Sequence, residues 1–170
     1  VSPETFKQVW EIYERAFPKE EKRALKQQQA LFANKQYKVF PYFDESHTEV
    51  LGFITLWELP TFTFWEHLAV KETCRGQGIG SRIIENTRKI SSGKIIFEVE
   101  LPETIVAQRR IRLYERLGFH LNAYPYLQPP YQPETSGVAM HIMSYPNPLS
   151  PEEFAEVKNE LYKEVYHYNR

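Results

Sequence analysis

Arg75-Gly76-Gln77-Gly78-Ile79-Gly80-Ser81 follows a strand-like run, Phe62 to Val70, and opens a helical stripe in which Ile79, Ile83, Ile84, Thr87 and Ile90 share one face. A glycine-rich turn therefore meets a helix N-terminus. Glycines let successive N–H groups converge without a Cβ in the way, and the positive end of the helix dipole favours an anion held there. The stretch is thus a candidate seat for a pyrophosphate. No Gly-Lys-Ser/Thr follows, as a P-loop needs, and the Gly-x-Gly-x-Gly spacing differs from the Gly-x-Gly-x-x-Gly of a dinucleotide fold. The glycines alone would equally serve a plain strand-to-helix turn.

On the N-terminal side, Ser2-Pro3-Glu4 reads as a helix cap, and Phe6, Val9, Trp10, Tyr13 and Phe17 form its apolar stripe up to Pro18. A second, charged helix is expected from Lys19 to Asn34, with Leu25 and Leu31-Phe32 buried. Tyr37 to Phe43 and Val50 to Leu59 read as a hairpin through the polar turn at Asp44 to Glu49. On the C-terminal side come a strand from Lys94 to Glu100, a helix from Thr104 to Leu117 stopped by Gly118, and strands Phe119 to Leu127 and Val138 to Tyr145. Strand, helix, strand around Ile79 to Ser91 argues a parallel pair with a right-handed crossover. Ser150-Pro151-Glu152-Glu153 is a capping box, stapled by Leu149 and Phe154, that starts a terminal helix.

The 170 residues, 42% of them hydrophobic, suit one packed domain. A net charge of −1 with interspersed signs gives no footprint for nucleic acid or an anionic membrane. Arg109, Arg110, Arg112 and Arg116 cluster on one helix, either as a solvated face or with one of them on a nucleotide phosphate. Cys74 is the single cysteine, which excludes an intrachain disulfide and suggests a reducing, cytoplasmic setting. No apolar run nears the roughly 18 residues of a membrane span, and no signal peptide is visible. The five histidines lack ligand spacing, so no metal site is expected.

Arg75, Gly78 and Gly80 fit the pattern Arg/Gln-x-x-Gly-x-Gly/Ala, preceded by His67-Leu68-Ala69-Val70 and followed by Arg112-Leu113-Tyr114-Glu115-Arg116-Leu117-Gly118-Phe119. In this order, on these elements, the chain resembles the GNAT superfamily of N-acetyltransferases, by motif over Phe62 to Phe119 and by element order over the flanks. The resemblance implies an α/β (α+β) fold. Its mixed, mostly antiparallel sheet has a central parallel pair splayed around the cofactor and flanking helices, all in one domain over 1–170 with a C-terminal helical extension at 146–170. The family usually begins with a strand ahead of its first helix, and none precedes Ser2 here. The implied activity is acetyl transfer from acetyl-CoA to a primary amine of a small molecule or an exposed protein amine, by direct attack on the thioester, in a monomer or homodimer. A sensor or interaction module that binds acetyl-CoA without catalysis is the other reading.

Carried over residue by residue, the pantetheine arm would bond the backbones of Leu68, Ala69 and Val70, and the pyrophosphate the amides of Arg75, Gly76, Gln77, Gly78, Ile79, Gly80 and Ser81. Tyr114 stands in the family's tyrosine position as the acid for the departing thiolate, although it shares a face with Ala107 and Ile111 and would equally be core. An amine arrives mostly protonated, so a carboxylate or ordered water must take its proton. Strand alternation puts Glu66 on the same face as Leu68 and Val70 and makes it the expected base, with Glu98 and Glu100 as rivals. A plain ion pair between Glu66 and an arginine is the alternative. Phe17, in one acceptor wall, and Tyr126 and Tyr131, in the other, would frame the amine over an acidic floor of Glu98 and Glu100. Two departures from the family stand out: Ala107 and Arg110 replace its common asparagine and alanine, and the loop from Leu101 to Thr104 is lengthened.

Overall fold

The computed structural model describes residues 1–169. Five helices, α1 (Pro3–Ala16), α2 (Leu25–Ala30), α3 (Ile79–Ile90), α4 (Ile105–Arg116) and α5 (Pro151–Glu160), accompany six strands, β1 (Tyr37–Phe43), β2 (Val50–Glu58), β3 (Thr63–Val70), β4 (Ile95–Glu100), β5 (His120–Gln128) and β6 (Val138–Tyr145). The strands form one mixed sheet in the order β1-β2-β3-β4-β6-β5, whose parallel pair is β3 and β4. The chain divides into two compact units, Val1–Gly93 and Lys94–Arg170.

In the first unit, Ser2 caps α1 by accepting from the Thr5 N–H, and Pro3 takes the position where a missing N–H costs nothing. The stripe of α1 packs Val9, Ile12 and Tyr13 onto Val50, Phe53 and Ala69 of the antiparallel β1-β2-β3 sheet. Asp44 folds the hairpin turn by accepting from the N–H groups of Thr48 and Glu49 and from the Ser46 hydroxyl, whose hydrogen bond leads in holding its carboxyl down to about 2. Gly52 lies where α3 crosses β2. A Cβ there would sit 2.8 Å from the Ala69 carbonyl oxygen and 3.0 Å from Ile83 Cδ1, so only glycine permits the approach.

The continuous helix expected from Lys19 to Asn34 is broken into a 3₁₀ turn at Lys19–Glu21, the short α2 and a second 3₁₀ turn at Leu31–Ala33. Lys22 and Ala24 are extended; Arg23 between them, and Gln28 of α2, turn inward while Leu25 and Phe32 stay exposed. A buried ion pair, not an apolar stripe, decides which residues of this segment face the core.

The second unit is an antiparallel β4-β6-β5 sheet. Phe97 on β4 meets Tyr114 of α4, with ring centroids 4.6 Å apart, and Phe119, 5.0 Å apart. Glu98, the next residue, projects to the opposite face by strand alternation. The pairing of β5 is irregular between Asn122 and Tyr126, where Pro125 has no N–H to give the ladder. Phe154 of α5 packs on Tyr124 and Tyr126 of that strand. The capping box at Ser150 and Glu153 forms as expected, and α5 continues into a π turn, Leu161–Val165.

Candidate functional site

The glycine turn takes the shape that the sequence requires of it. Gly76 and Gly78 have φ of 81° and 78°, in the left-handed region that glycine enters without a Cβ penalty. A Cβ built on either would meet nothing within 4 Å, so the space over this backbone is open. Gly78 is the N-cap of α3, and no side chain caps that end. The first N–H groups of the helix, on Ile79, Gly80 and Ser81, lack intrahelical acceptors by construction and point out of the helix end. Arg75 is exposed, and its Nε donates to the Val70 carbonyl at 3.3 Å, which ties the turn to the end of β3. Open space, orphan donors and a helix dipole together fit a pyrophosphate.

On β3 the expected shared face of Glu66 with Leu68 and Val70 is overturned. The pairing of β2 with β3 slips between Thr55 and Leu56: His67 lies opposite Thr55, Trp65 opposite Leu56, and Glu66 is the extra residue of a β-bulge. A bulge breaks the two-residue alternation, so Glu66 does not share a face with Leu68 and Val70. Val70 instead lies on the α3 side, where its Cγ2 is 3.7 Å from the position of a Gly80 Cβ. Glu66 Oε2 is 2.6 Å from Arg23 Nη2, and Oε1 accepts from Arg23 Nη1 at 3.0 Å and from Trp57 Nε1 at 2.7 Å, with no side-chain exposure at all. Burial alone would raise this carboxyl, but the Arg23 guanidinium and the hydrogen bonds from Arg23 and Trp57 outweigh it and hold the group below its usual range. The adjacent His67 donates from Nε2 to the Glu21 carbonyl at 2.8 Å, and burial lowers its pKa and keeps it neutral. Phe17 caps this arrangement with its ring 4.7 Å from that of His67. Glu66 and His67 thus grip the segment between α1 and α2, and the Glu66 carboxylate is closed to solvent.

In the second unit, Tyr114 is half-buried against Phe97 and Phe119, and its hydroxyl has no hydrogen-bond partner among the described residues. Burial raises its pKa, so the phenol keeps its proton at neutral pH. Among the described residues Glu98 accepts from Tyr126 Oη at 2.6 Å on Oε2, and from Gln128 Nε2 at 3.0 Å and Tyr166 Oη at 2.6 Å on Oε1. Burial, and then the Glu98 charge, push the Tyr126 phenol well up. Glu100, by contrast, is exposed and lies 3.6 Å from Arg110, a surface pair, so the acidic floor reduces to Glu98. The aromatic wall is corrected too. Tyr126 and Tyr131 are buried, turned toward Glu98 and Tyr166, and Tyr124 donates to the Leu149 carbonyl.

The family's missing asparagine and alanine also find explanations. Ala107 is buried with its N–H capped by Thr104 Oγ1, while Arg110 is the partner of Glu100. Arg109, Arg110, Arg112 and Arg116 all lie on an exposed helix face. Sequence reading missed Arg23, buried in a charged segment, and Tyr166, near the end of a helix assigned to packing alone. Glu20 stands at helical spacing from Arg23, so the local sequence reads as an ordinary surface pair, and nothing in the spacing marks Tyr166. Among the described residues no three His, Cys, Asp or Glu side chains converge as metal ligands, and no helix is long and apolar enough to cross a membrane.

The model of the Acetyltransferase (GNAT) family matches residues 6–119. YjbC of Bacillus subtilis (strain 168), an acetyltransferase by assignment, is 26% identical over 155 residues, covering 89% of this chain and 78% of its own. A solved structure from Bacteroides thetaiotaomicron, assigned to the acetyltransferases of the GNAT family, superposes with a TM-score of 0.89 at 30% identity, covering 96% of this chain and 93% of the other. The ribosomal-protein-S18-alanine N-acetyltransferase of Escherichia coli shares the fold with a TM-score of 0.62 at 20% identity, over 89% of this chain and 94% of its own. With its glycine turn, its strand order and two thirds of its length matched, the chain belongs to the GNAT acetyltransferase family.

Proposed function

We propose that the protein transfers the acetyl group of acetyl-coenzyme A to a primary amine, of a small molecule or of an exposed protein terminus or side chain. The observation that carries this reading is the Tyr114 hydroxyl, which is protonated, half-buried and without a hydrogen-bond partner among the described residues, on the helix that holds the family's second motif. A cofactor-binding sensor would have no use for such a donor. The amides of Ile79, Gly80 and Ser81 with those of the preceding turn take the pyrophosphate, and the backbone of Leu68 to Val70 the pantetheine arm.

The acceptor enters as an ammonium ion, and Glu98 takes one proton from it. The neutral amine attacks the thioester carbonyl and forms the N–C bond. As the tetrahedral adduct collapses, the C–S bond breaks, the nitrogen passes its second proton to water, Tyr114 gives its own proton to the departing sulfur, and Glu98 returns the first proton to solvent. Water restores the Tyr114 proton, and the net reaction releases one proton. Phe97 faces α4 and Tyr114 while Glu98 faces the other side of β4, so base and acid need not compete for one position: one serves the nitrogen, the other the sulfur.

Thiol release from acetyl-coenzyme A, followed over a panel of primary amines, tests the reading. Transfer that falls sharply in Tyr114→Phe supports it. Binding of acetyl-coenzyme A without thiol release on any amine would favour the sensor.

A further inference from the structure

We infer that the C-terminal segment is part of the reaction machinery, with Tyr166 as a positioning residue for Glu98. The inference rests on Glu98 as the base in the reading above, and its own grounds are geometric.

Among the described residues, Glu98 is gripped from two separate stretches of chain. Tyr126 and Gln128, two residues apart on β5, come from the neighbouring sheet surface, and Tyr166 comes from just beyond the π turn. The π turn makes this reach possible. The helix buries Phe154, Val157, Leu161 and Val165, and at Leu161–Val165 its ladder lengthens so that the Tyr166 N–H donates to the Leu161 carbonyl, five residues back, at 3.1 Å. Both Leu161 and Val165 stay buried, and the next side chain is delivered to the carboxylate. The tail is fixed at further points. Tyr162 Oη donates to the Leu127 carbonyl at 2.5 Å, the Tyr168 N–H donates to the Tyr162 carbonyl at 2.7 Å, and the Tyr131 ring lies 5.2 Å from that of Tyr166.

A half-buried carboxylate among aromatic rings is a poor way to fill a sheet face, since even partial burial of the charge costs more than an apolar residue of like size would. Three donors spent on it have a chemical use. They favour the ionised form, which is the form that accepts a proton, and they fix its direction. Among the described residues, the titratable groups facing Glu98 or its donors include the phenols of Tyr126 on β5, Tyr131 on the β5–β6 connection, and Tyr162 and Tyr166 on the tail. Phenols stay protonated through neutral pH, so they remain donors wherever the reaction runs.

The test is a double-mutant cycle on the full chain with n-butylamine and 1,4-diaminobutane as acceptor probes. Tyr166→Phe removes one hydroxyl and keeps the ring. It is expected to lower kcat/KM for the amine about tenfold to a hundredfold, the weight of one hydrogen bond to a charged group. The acidic limb of the pH profile should move up by about half to one unit, because a carboxylate that loses a donor binds its proton more tightly. Affinity for acetyl-coenzyme A should stay the same. In a Glu98→Gln background the same substitution should have no further effect, whereas a packing defect would add. The ¹³C resonance of the Glu98 carboxyl reads the contact without turnover and should titrate at higher pH in Tyr166→Phe. An unmoved resonance, an unmoved limb or additive losses overturn the inference. Wild-type protein that transfers acetyl to neither probe nor to any amine of the panel removes the reading beneath it, and a resonance that still moves would then leave Tyr166 a structural donor only.

Discussion

Arg23 and Glu66 meet in a two-point ion pair, Nη2 to Oε2 at 2.6 Å and Nη1 to Oε1 at 3.0 Å, with neither side chain more than 7% exposed. The pair joins the connection between α1 and α2 to the bulge of β3, and its removal has two separable effects on stability. Arg23→Met leaves a buried carboxylate without its cation and should cost about 3–5 kcal/mol, the usual penalty for half of a buried pair. Adding Glu66→Gln should recover part of that loss. Urea unfolding of the two single variants and the double variant checks this, and a double variant no more stable than Arg23→Met would deny the pair its role.

The same pair sets an acid sensitivity. The folded-state pKa of Glu66 lies below its ordinary 4.5, so its contribution is complete above that pH and is lost as pH falls through the lower, folded-state value. His67 has the same sign: its pKa is lowered from 6.5, so stability is lost first as the solution drops below that value. Unfolding midpoints measured from pH 8 to pH 3 should therefore begin to decline near pH 6.5 in wild type, and that first decline should vanish in His67→Gln.

Acetyl-coenzyme A should raise Tm, since a ligand that binds only the folded chain stabilises it by mass action. Gly78→Val forces a branched residue to a φ of 78° and places its side chain in the open space over the turn, so it should lower the basal Tm and abolish the ligand-dependent shift. Gly80→Ala separates the two effects. Its Cβ would make only an ordinary contact at 3.7 Å, so the basal Tm should hold while the shift shrinks if a phosphate lies close to that backbone. A full shift in both variants would remove the pyrophosphate from this turn.

Tyr114→Phe deletes only the hydroxyl, and the ring contacts with Phe97 and Phe119 persist. A general acid contributes about 10²–10⁴-fold, so kcat should fall by that order with little change in cofactor affinity. A change of under about threefold would assign the proton to water and Tyr114 to packing.

Glu98 and Glu66 are separated by pH profiles. Glu98→Gln should flatten the acidic limb of kcat/KM, while Glu66→Gln, assayed where it is folded, should keep the wild-type limb, because Glu66 is sealed between Arg23 and Trp57. The reverse result would return the base to β3.

Local signals carried most of the fold into view from sequence. Ser2-Pro3, Thr104 and the Ser150 box mark helix starts by hydrogen bonds made within a few residues, and Gly76 and Gly78 mark a turn that other residues enter only with strain. The glycine turn was legible for the same reason. Glu66 was misread because alternation is a local rule, and the bulge that breaks it arises from pairing with β2. Helix breakage at Arg23 and the hold of Tyr166 on Glu98 are contacts between segments 43 and 68 residues apart in sequence, and no periodicity records them.

Gly52 lies on β2, outside the glycine turn, yet it sets how closely α3 approaches the sheet. A methyl group at that position has only two ways to be absorbed: β2 and β3 part at the Ala69 carbonyl, or Ile83 is pushed away and α3 rides up with it. Either movement would carry along the first turn of α3, and with it the N–H groups of Ile79, Gly80 and Ser81. The affinity of the turn for an anion is therefore adjustable from a strand position with no chemistry of its own, and sequence drift at residue 52 would register as altered cofactor binding well before it registered as a lost fold.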